Sequence, residues 1–166
     1  MVDEAKLKQF MGKVLIDLGA AMSVPLVRTG MRLGLYKAMD GAGPMSSAEV
    51  AAKANIAERY AREWLAQNAA SGYLTYDAAS RRFELPPEQA LALAREESPF
   101  FAGGGFDAVA ALYPTQPLLE KAFVSGGGID WGDHAGCLLC AIGAMLRPRY
   151  AGNILQNAKS LAITTP

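Results

Sequence analysis

Asp130-Trp131-Gly132-Asp133-His134 places two carboxylates, an indole and the chain's single imidazole within five residues. An imidazole takes up and gives back a proton near neutral pH. His134 is therefore a candidate general base or substrate contact, with Trp131 and Asp133 as candidate pocket residues beside it. The same residues also suit a helix start, with Asp133 as cap and His134 in the first turn. That plainer reading is favoured for this stretch on its own. Cys137 and Cys140 form a C-x-x-C. A redox pair of this spacing opens a helix after a strand, whereas these cysteines sit in an apolar helical stretch. A zinc site would need a second pair, and Asp133, His134 and the two cysteines are too compressed in sequence for tetrahedral ligation. Buried, inert cysteines and no metal site are expected. Gly103-Gly104-Gly105 and Gly126-Gly127-Gly128 lack both the spacing and the preceding strand of a phosphate loop, so they read as flexible loops. No complete catalytic constellation is present, and no catalytic residue is assigned.

The elements that would position these groups are organised around Ser46 to Leu85. Ser46 or Ser47 can cap a short helix, with Glu49 in its first turn. A longer helix from about Ala57 to Ser71 carries Tyr60, Trp64, Leu65 and Asn68, with Tyr60 and Trp64 on one face. Gly72 falls where a helix ends in a left-handed residue. Tyr73–Tyr76 and Arg82–Leu85 read as short strands joined by the turn Asp77–Ser80, and Pro86-Pro87 stops the second. Helix, turn, helix and β-hairpin in this order make a winged helix-turn-helix. The expected fold is mostly α, with additional helices on either side of the winged helix and a small β-hairpin. Its three parts are N-terminal helices over 1–44, the winged module over 45–87 and a helical connector over 88–166.

Winged helices often bind DNA, and Arg59, Arg62, Arg81 and Arg82 are the candidate contacts. The charge balance argues against that use. Glu58, Arg59, Arg62 and Glu63 cancel, and the whole chain of 166 residues holds 16 basic and 16 acidic side chains. Duplex affinity needs an excess of Lys and Arg against the phosphates. The N-terminus lacks the basic start and apolar core of a signal peptide. No uninterrupted apolar run reaches the roughly 20 residues of a membrane helix. A cytoplasmic protein without a membrane partner is expected.

Before the winged module, residues 3–19 read as one helix striped with Leu7, Phe10, Met11, Val14, Leu15 and Leu18. Gly19 and Pro25 should break or kink the chain, and Met22 to Gly30 or beyond should form a second helix. Leu33 to Asp40 completes that stretch. So many apolar positions exceed what a small domain can bury alone, which points to a homodimer through the N-terminal helices. After Pro87, short helices are expected over Glu88–Arg95, Asp107–Tyr113 and Gln116–Phe123. An apolar helix over Ala135–Leu146 should be interrupted at Arg147-Pro148-Arg149-Tyr150. Ala151–Lys159 is a final candidate helix.

The succession resembles the N-terminal part of bacterial class I SAM-dependent methyltransferases with a winged-helix dimerisation domain, relatives of the small-molecule O-methyltransferases. The stretches that carry the resemblance are Thr29-Gly-Met-Arg-Leu-Gly-Leu-Tyr36, Ser46-Ser-Ala-Glu-Val-Ala-Ala52 and Glu58-Arg-Tyr-Ala-Arg-Glu-Trp-Leu65. Ser71-Gly-Tyr-Leu-Thr-Tyr76 and Phe83-Glu-Leu-Pro-Pro-Glu88 follow. The region from Gly126-Gly-Gly-Ile-Asp-Trp131 through Arg147-Pro-Arg-Tyr150 looks like the connector into the catalytic domain. The resemblance spans about residues 5 to 157. It implies that the winged helix dimerises and lines the pocket of a small-molecule methyl acceptor, with Trp131, Asp133 and His134 near that pocket. It also implies SAM as cofactor of the full-length enzyme, bound by a Rossmann-like domain that follows. No strand followed by D-x-G-x-G occurs in this chain, so the expectation is a fragment that ends before the SAM loop and binds no cofactor alone. The alternatives from other classes are a DNA-binding transcriptional regulator and a stand-alone small-molecule binder.

Overall fold

A computed structural model describes residues 2–134, 136, 138–148 and 150. It opens with α1 (Glu4–Arg32), a single helix of 29 residues capped by Asp3, whose carboxylate accepts from the N–H groups of Ala5 and Lys6. The break expected at Gly19 and Pro25 does not occur. Proline removes one intrahelical bond and crowds the preceding turn, at a cost of about 3 kcal/mol, but Pro25 lies on the exposed side. There water can take the carbonyl that proline leaves unbonded. Ser23 Oγ donates to Gly19 O at 2.9 Å and Thr29 Oγ1 to Pro25 O at 2.8 Å, so the surrounding carbonyls gain side-chain partners. The real end comes at Arg32, where Gly34 takes φ +69° and separates α1 from α2 (Leu35–Met39).

The winged module forms as its residue order requires. Ser46 and Glu49 close a capping box on α3 (Ser47–Ala54). Glu49 takes the Ser46 N–H at 2.7 Å and Ser46 Oγ takes the Glu49 N–H at 3.3 Å, which satisfies two orphan donors at once. A left-handed Asn55 ends α3, and α4 (Glu58–Ala70) follows. Gly72 adopts φ +77° just past α4. β1 (Thr75–Asp77) pairs antiparallel with β2 (Arg82–Glu84), setting Tyr76 opposite Phe83 with ring centroids 4.6 Å apart. Met45 adds a bridge on the other side of Phe83.

The core is built around Trp64 and Asn68 on α4. The Trp64 indole lies against Gly30 of α1, and its Nε1 donates to Leu26 O at 2.9 Å. Its other face meets Tyr36 of α2 edge-on, with centroids 4.9 Å apart. Asn68 is fully buried and fully used. Its Oδ1 accepts from the Tyr36 hydroxyl, its Nδ2 donates to Trp64 O, and its backbone carbonyl accepts from Tyr73. Burial pushes the Tyr36 phenol far above its ordinary pKa, with a smaller contribution from Tyr73, so the hydroxyl stays a neutral donor. Val27, Leu35, Met39, Leu65, Phe83 and Leu93 pack round this centre. Tyr60, on the same stripe as Trp64, is exposed instead.

Beyond the wing, α5 (Pro87–Leu93) closes the core. Arg95 then forks onto Asp40 with two hydrogen bonds of 2.9 and 2.8 Å. α6 (Gly103–Leu112), α7 (Gln116–Ser125) and α8 (Leu138–Pro148) follow. Gly103-Gly104-Gly105 is not a flexible loop; it forms the first turn of α6. A Cβ at Gly104 would stand 2.3 Å from Met145 N and 2.5 Å from Ala141 O, so glycine there lets α8 come into backbone contact. The described part of α8 ends at Pro148, within the stretch Arg147-Pro148-Arg149-Tyr150 where an interruption is expected. Arg149 and the helix expected over Ala151–Lys159 lie outside the described residues.

Two outcomes follow. Gly30→Ala puts a methyl 2.4 Å from Trp64 Cζ2, and the hydrogen-bonded indole has no room to retreat. Chemical denaturation should show a loss of roughly 1–3 kcal/mol. The Arg95 guanidinium holds Asp40 below its ordinary pKa, chiefly through the hydrogen bonds and against the opposing effect of burial. A carboxyl depressed on folding adds stability above its unfolded pKa and loses it as pH falls through the folded one. Asp40→Asn should therefore cost roughly 1 kcal/mol at neutral pH, a gap that closes below about pH 4 in denaturation curves.

Candidate functional site

The acidic-aromatic cluster of the connector forms a single 3₁₀ turn, Trp131–Asp133, in which Asp133 N donates to Asp130 O at 3.0 Å. Trp131 and His134 stack loosely, with centroids 5.9 Å apart and planes tilted by 44°. Trp131 is exposed, and Asp133 faces a small crevice of about 130 Å³ against Lys121 and Ser125 of α7. His134 Nδ1 is buried without a hydrogen-bond partner among the described residues. The three residues are thus neighbours, but one common cavity does not collect them. The helix for which Asp133 was expected to be the cap is α8, which begins at Leu138. Cys140 is exposed and disulfide-bonded, which overturns the buried, inert reading for it; Cys137 lies outside the described residues.

The four arginines of the winged module divide into two pairs. Arg62 is locked onto Glu58 through two hydrogen bonds, at 3.2 and 2.5 Å, and Ser47 Oγ holds the same carboxylate at 2.6 Å. Glu58 is pushed below its ordinary pKa by Arg62 first and Ser47 second. Arg82 forks onto Glu49 and also donates to Pro44 O at 2.8 Å. The capping Ser46, with Arg82 behind it, holds Glu49 low in turn. Among the described residues Arg59 and Arg81 make no ion pair. Arg81 sits at the hairpin turn with φ +56°. This face is therefore close to neutral over most of its area.

Among the described residues the first half of α1 presents a long apolar surface. From Glu4 to Ala20 only Val14 is partly covered. Phe10, Leu15, Ile16 and Leu18 are all more than half exposed, and Met22 reaches 75%. The first four turns thus stand away from the domain as an arm. The second half is anchored by Ser23, Val27 and Gly30. By length and composition α1 could cross a membrane, but its anchored half is part of the domain core. Beside that half, Leu26, Leu33, Ile56, Tyr60 and Trp64 line an apolar groove of about 400 Å³ with Glu63 at its edge. Sequence periodicity marks the arm as apolar on one stripe but does not reveal that it stays exposed among the described residues. Tyr60, read as sharing a face with Trp64, lies exposed at this groove.

Residues 20–95 match the family model described as the Rv2258c-like winged HTH domain, and the helices and hairpin of that stretch have the order of a winged helix-turn-helix. Two solved structures share the fold. "PigF with SAH" aligns at TM-score 0.57 and 17% identity over 88% of this chain and 44% of its own. The mitomycin 7-O-methyltransferase MmcR aligns at TM-score 0.61 and 18% identity over 76% and 37%. The chain thus spans less than half the length of either. No curated protein sequence matches it.

Because Arg62 and Arg82 are already neutralised, duplex DNA should bind weakly and through about two phosphates at most. Fluorescence anisotropy against salt should give a slope no steeper than about −2. A steeper slope that Arg59→Ala and Arg81→Ala flatten would restore the regulator reading.

Proposed function

We propose that this chain is the dimerisation and pocket-lining half of a SAM-dependent small-molecule methyltransferase. The observation that carries the reading is the fold match, in which most of this chain covers less than half of a protein solved with SAH and of an O-methyltransferase. Among the described residues the only sheet is the two-stranded wing. A SAM loop, which follows a parallel strand at a helix N-terminus, has no place there. The SAM-binding Rossmann-like domain belongs to the rest of the protein, and residues 1–166 bind no cofactor alone. α7 has no buried residue, and its Phe123 and Val124 are almost fully exposed. It supplies an apolar face for that domain to pack on. Trp131, Asp133 and His134 follow directly and border the pocket of the methyl acceptor.

The apolar arm of α1 is the dimer contact. Helices in proteins draw most of their stability from packing of an apolar face, and the arm's face is exposed among the described residues. Covering the arm with a second copy also explains its hydrophobicity without a membrane, and a cytoplasmic enzyme fits.

Light scattering on residues 1–166 should give the mass of a dimer. Met11→Glu with Leu18→Glu, one face of the arm, should give a monomer with unchanged helix content. Calorimetry should detect no SAM binding to residues 1–166 and clear binding to the longer natural protein. Measurable SAM binding by residues 1–166 would overturn the division of labour.

A further inference from the structure

We infer that the cleft between α1, α6 and α8 binds a small organic monocarboxylate with an apolar body. Arg28 and Arg32 stand four residues apart on α1 and so project on the same side. Both face Asp107 of α6. Arg28 donates through Nε to Asp107 Oδ1, while Arg32 Nη2 stays 3.8 Å from that same oxygen, beyond hydrogen-bond range. Two guanidiniums thus share one carboxylate, leaving a local charge of +1. Among the described residues the Arg32 side chain makes no hydrogen bond, and the terminal nitrogens of Arg28 make none either. A planar fork left open beside its own counter-ion matches a second carboxylate better than a point charge would.

The space in front of this pair suits such a ligand. The cleft holds about 510 Å³, within the range of small-molecule sites. Ala110, Ala111 and Pro114 line one side and Cys140, Ala141 and Ala144 of α8 the other, with Gly136 beside them. Small apolar side chains give room for an aliphatic or aromatic body while the arginines fix the anionic end. The space persists because α6 and α8 touch at Gly104, a turn before Asp107, and the alanines beyond do not fill the gap. The excess of one positive charge favours a monoanion over a phosphate dianion. The inference stands on the cleft alone and not on methyl transfer, so failure of SAM binding and failure of this test are separate results.

The test uses the whole chain with benzoate as probe, benzamide as its neutral counterpart and inorganic phosphate as dianion. Calorimetry should show saturable one-to-one benzoate binding and little binding of the other two. Arg32→Gln, which removes an exposed side chain, should weaken benzoate roughly tenfold with the melting temperature unchanged. Arg28→Gln also unties α1 from α6, so its effect is read only if it melts like the parent. Benzamide or phosphate binding as tightly as benzoate, an Arg32→Gln affinity equal to the parent, or no saturable benzoate binding would each overturn the assignment.

Discussion

The seat of Trp64 on Gly30 is the contact on which the rest of the fold depends. The indole bonds a backbone carbonyl of α1, lies against the one residue of that turn without a side chain, and meets Tyr36 on its far side. That single side chain therefore fixes α4 against both helices that precede the winged module. Asn68, one turn on, joins α2, α4 and the approach to the hairpin through bonds that leave none of its polar atoms idle. A buried amide in this position is costly unless fully paired, so the pairing specifies one arrangement of the three helices. Anchored this way, the second half of α1 holds the first half out in solvent.

Much of the winged module was legible in the sequence because its signals are local. The serine cap with Glu49 in the first turn, the left-handed Gly72 and the turn at Asp77 depend on residues within a few positions of one another, and each forms as read; that Glu49 also closes a box on Ser46 is added by the structure. The failures are non-local. Pro25 looked like a helix break, since a proline cannot donate; it is tolerated inside α1. Gly103–Gly105 looked like a hinge because only the packed helix reveals that Gly104 faces the backbone of α8. Gly30 gave no warning of its partner, 34 positions away.

The candidate site was legible only in part, for the same reason. The sequence groups Trp131, Asp133 and His134, and they do stay together, yet a pocket boundary depends on what packs opposite, which no spacing encodes. Arg28 and Arg32 carry the spacing of a helical pair, but their shared carboxylate lies on α6. The wing shows the reverse. Arg62 and Arg82 look available in the sequence and are spent on Glu58 and Glu49, so capping chemistry removes the charge a DNA reader would need. What remains exposed on either side of the module is apolar surface on the arm and on α7. That distribution suits a domain that assembles with other protein surfaces and leaves chemistry to a neighbour.

The arm of α1 offers the most direct test of that view. Amide hydrogen exchange along the helix at high and low protein concentration separates the two halves of α1. If a second copy covers the arm, residues 4–20 exchange slowly at high concentration and lose protection on dilution. Residues 23–32, held by Trp64 within one chain, stay protected at both. Fast exchange in the arm at every concentration would contradict the dimer. It would leave the apolar face of α1 to some other partner.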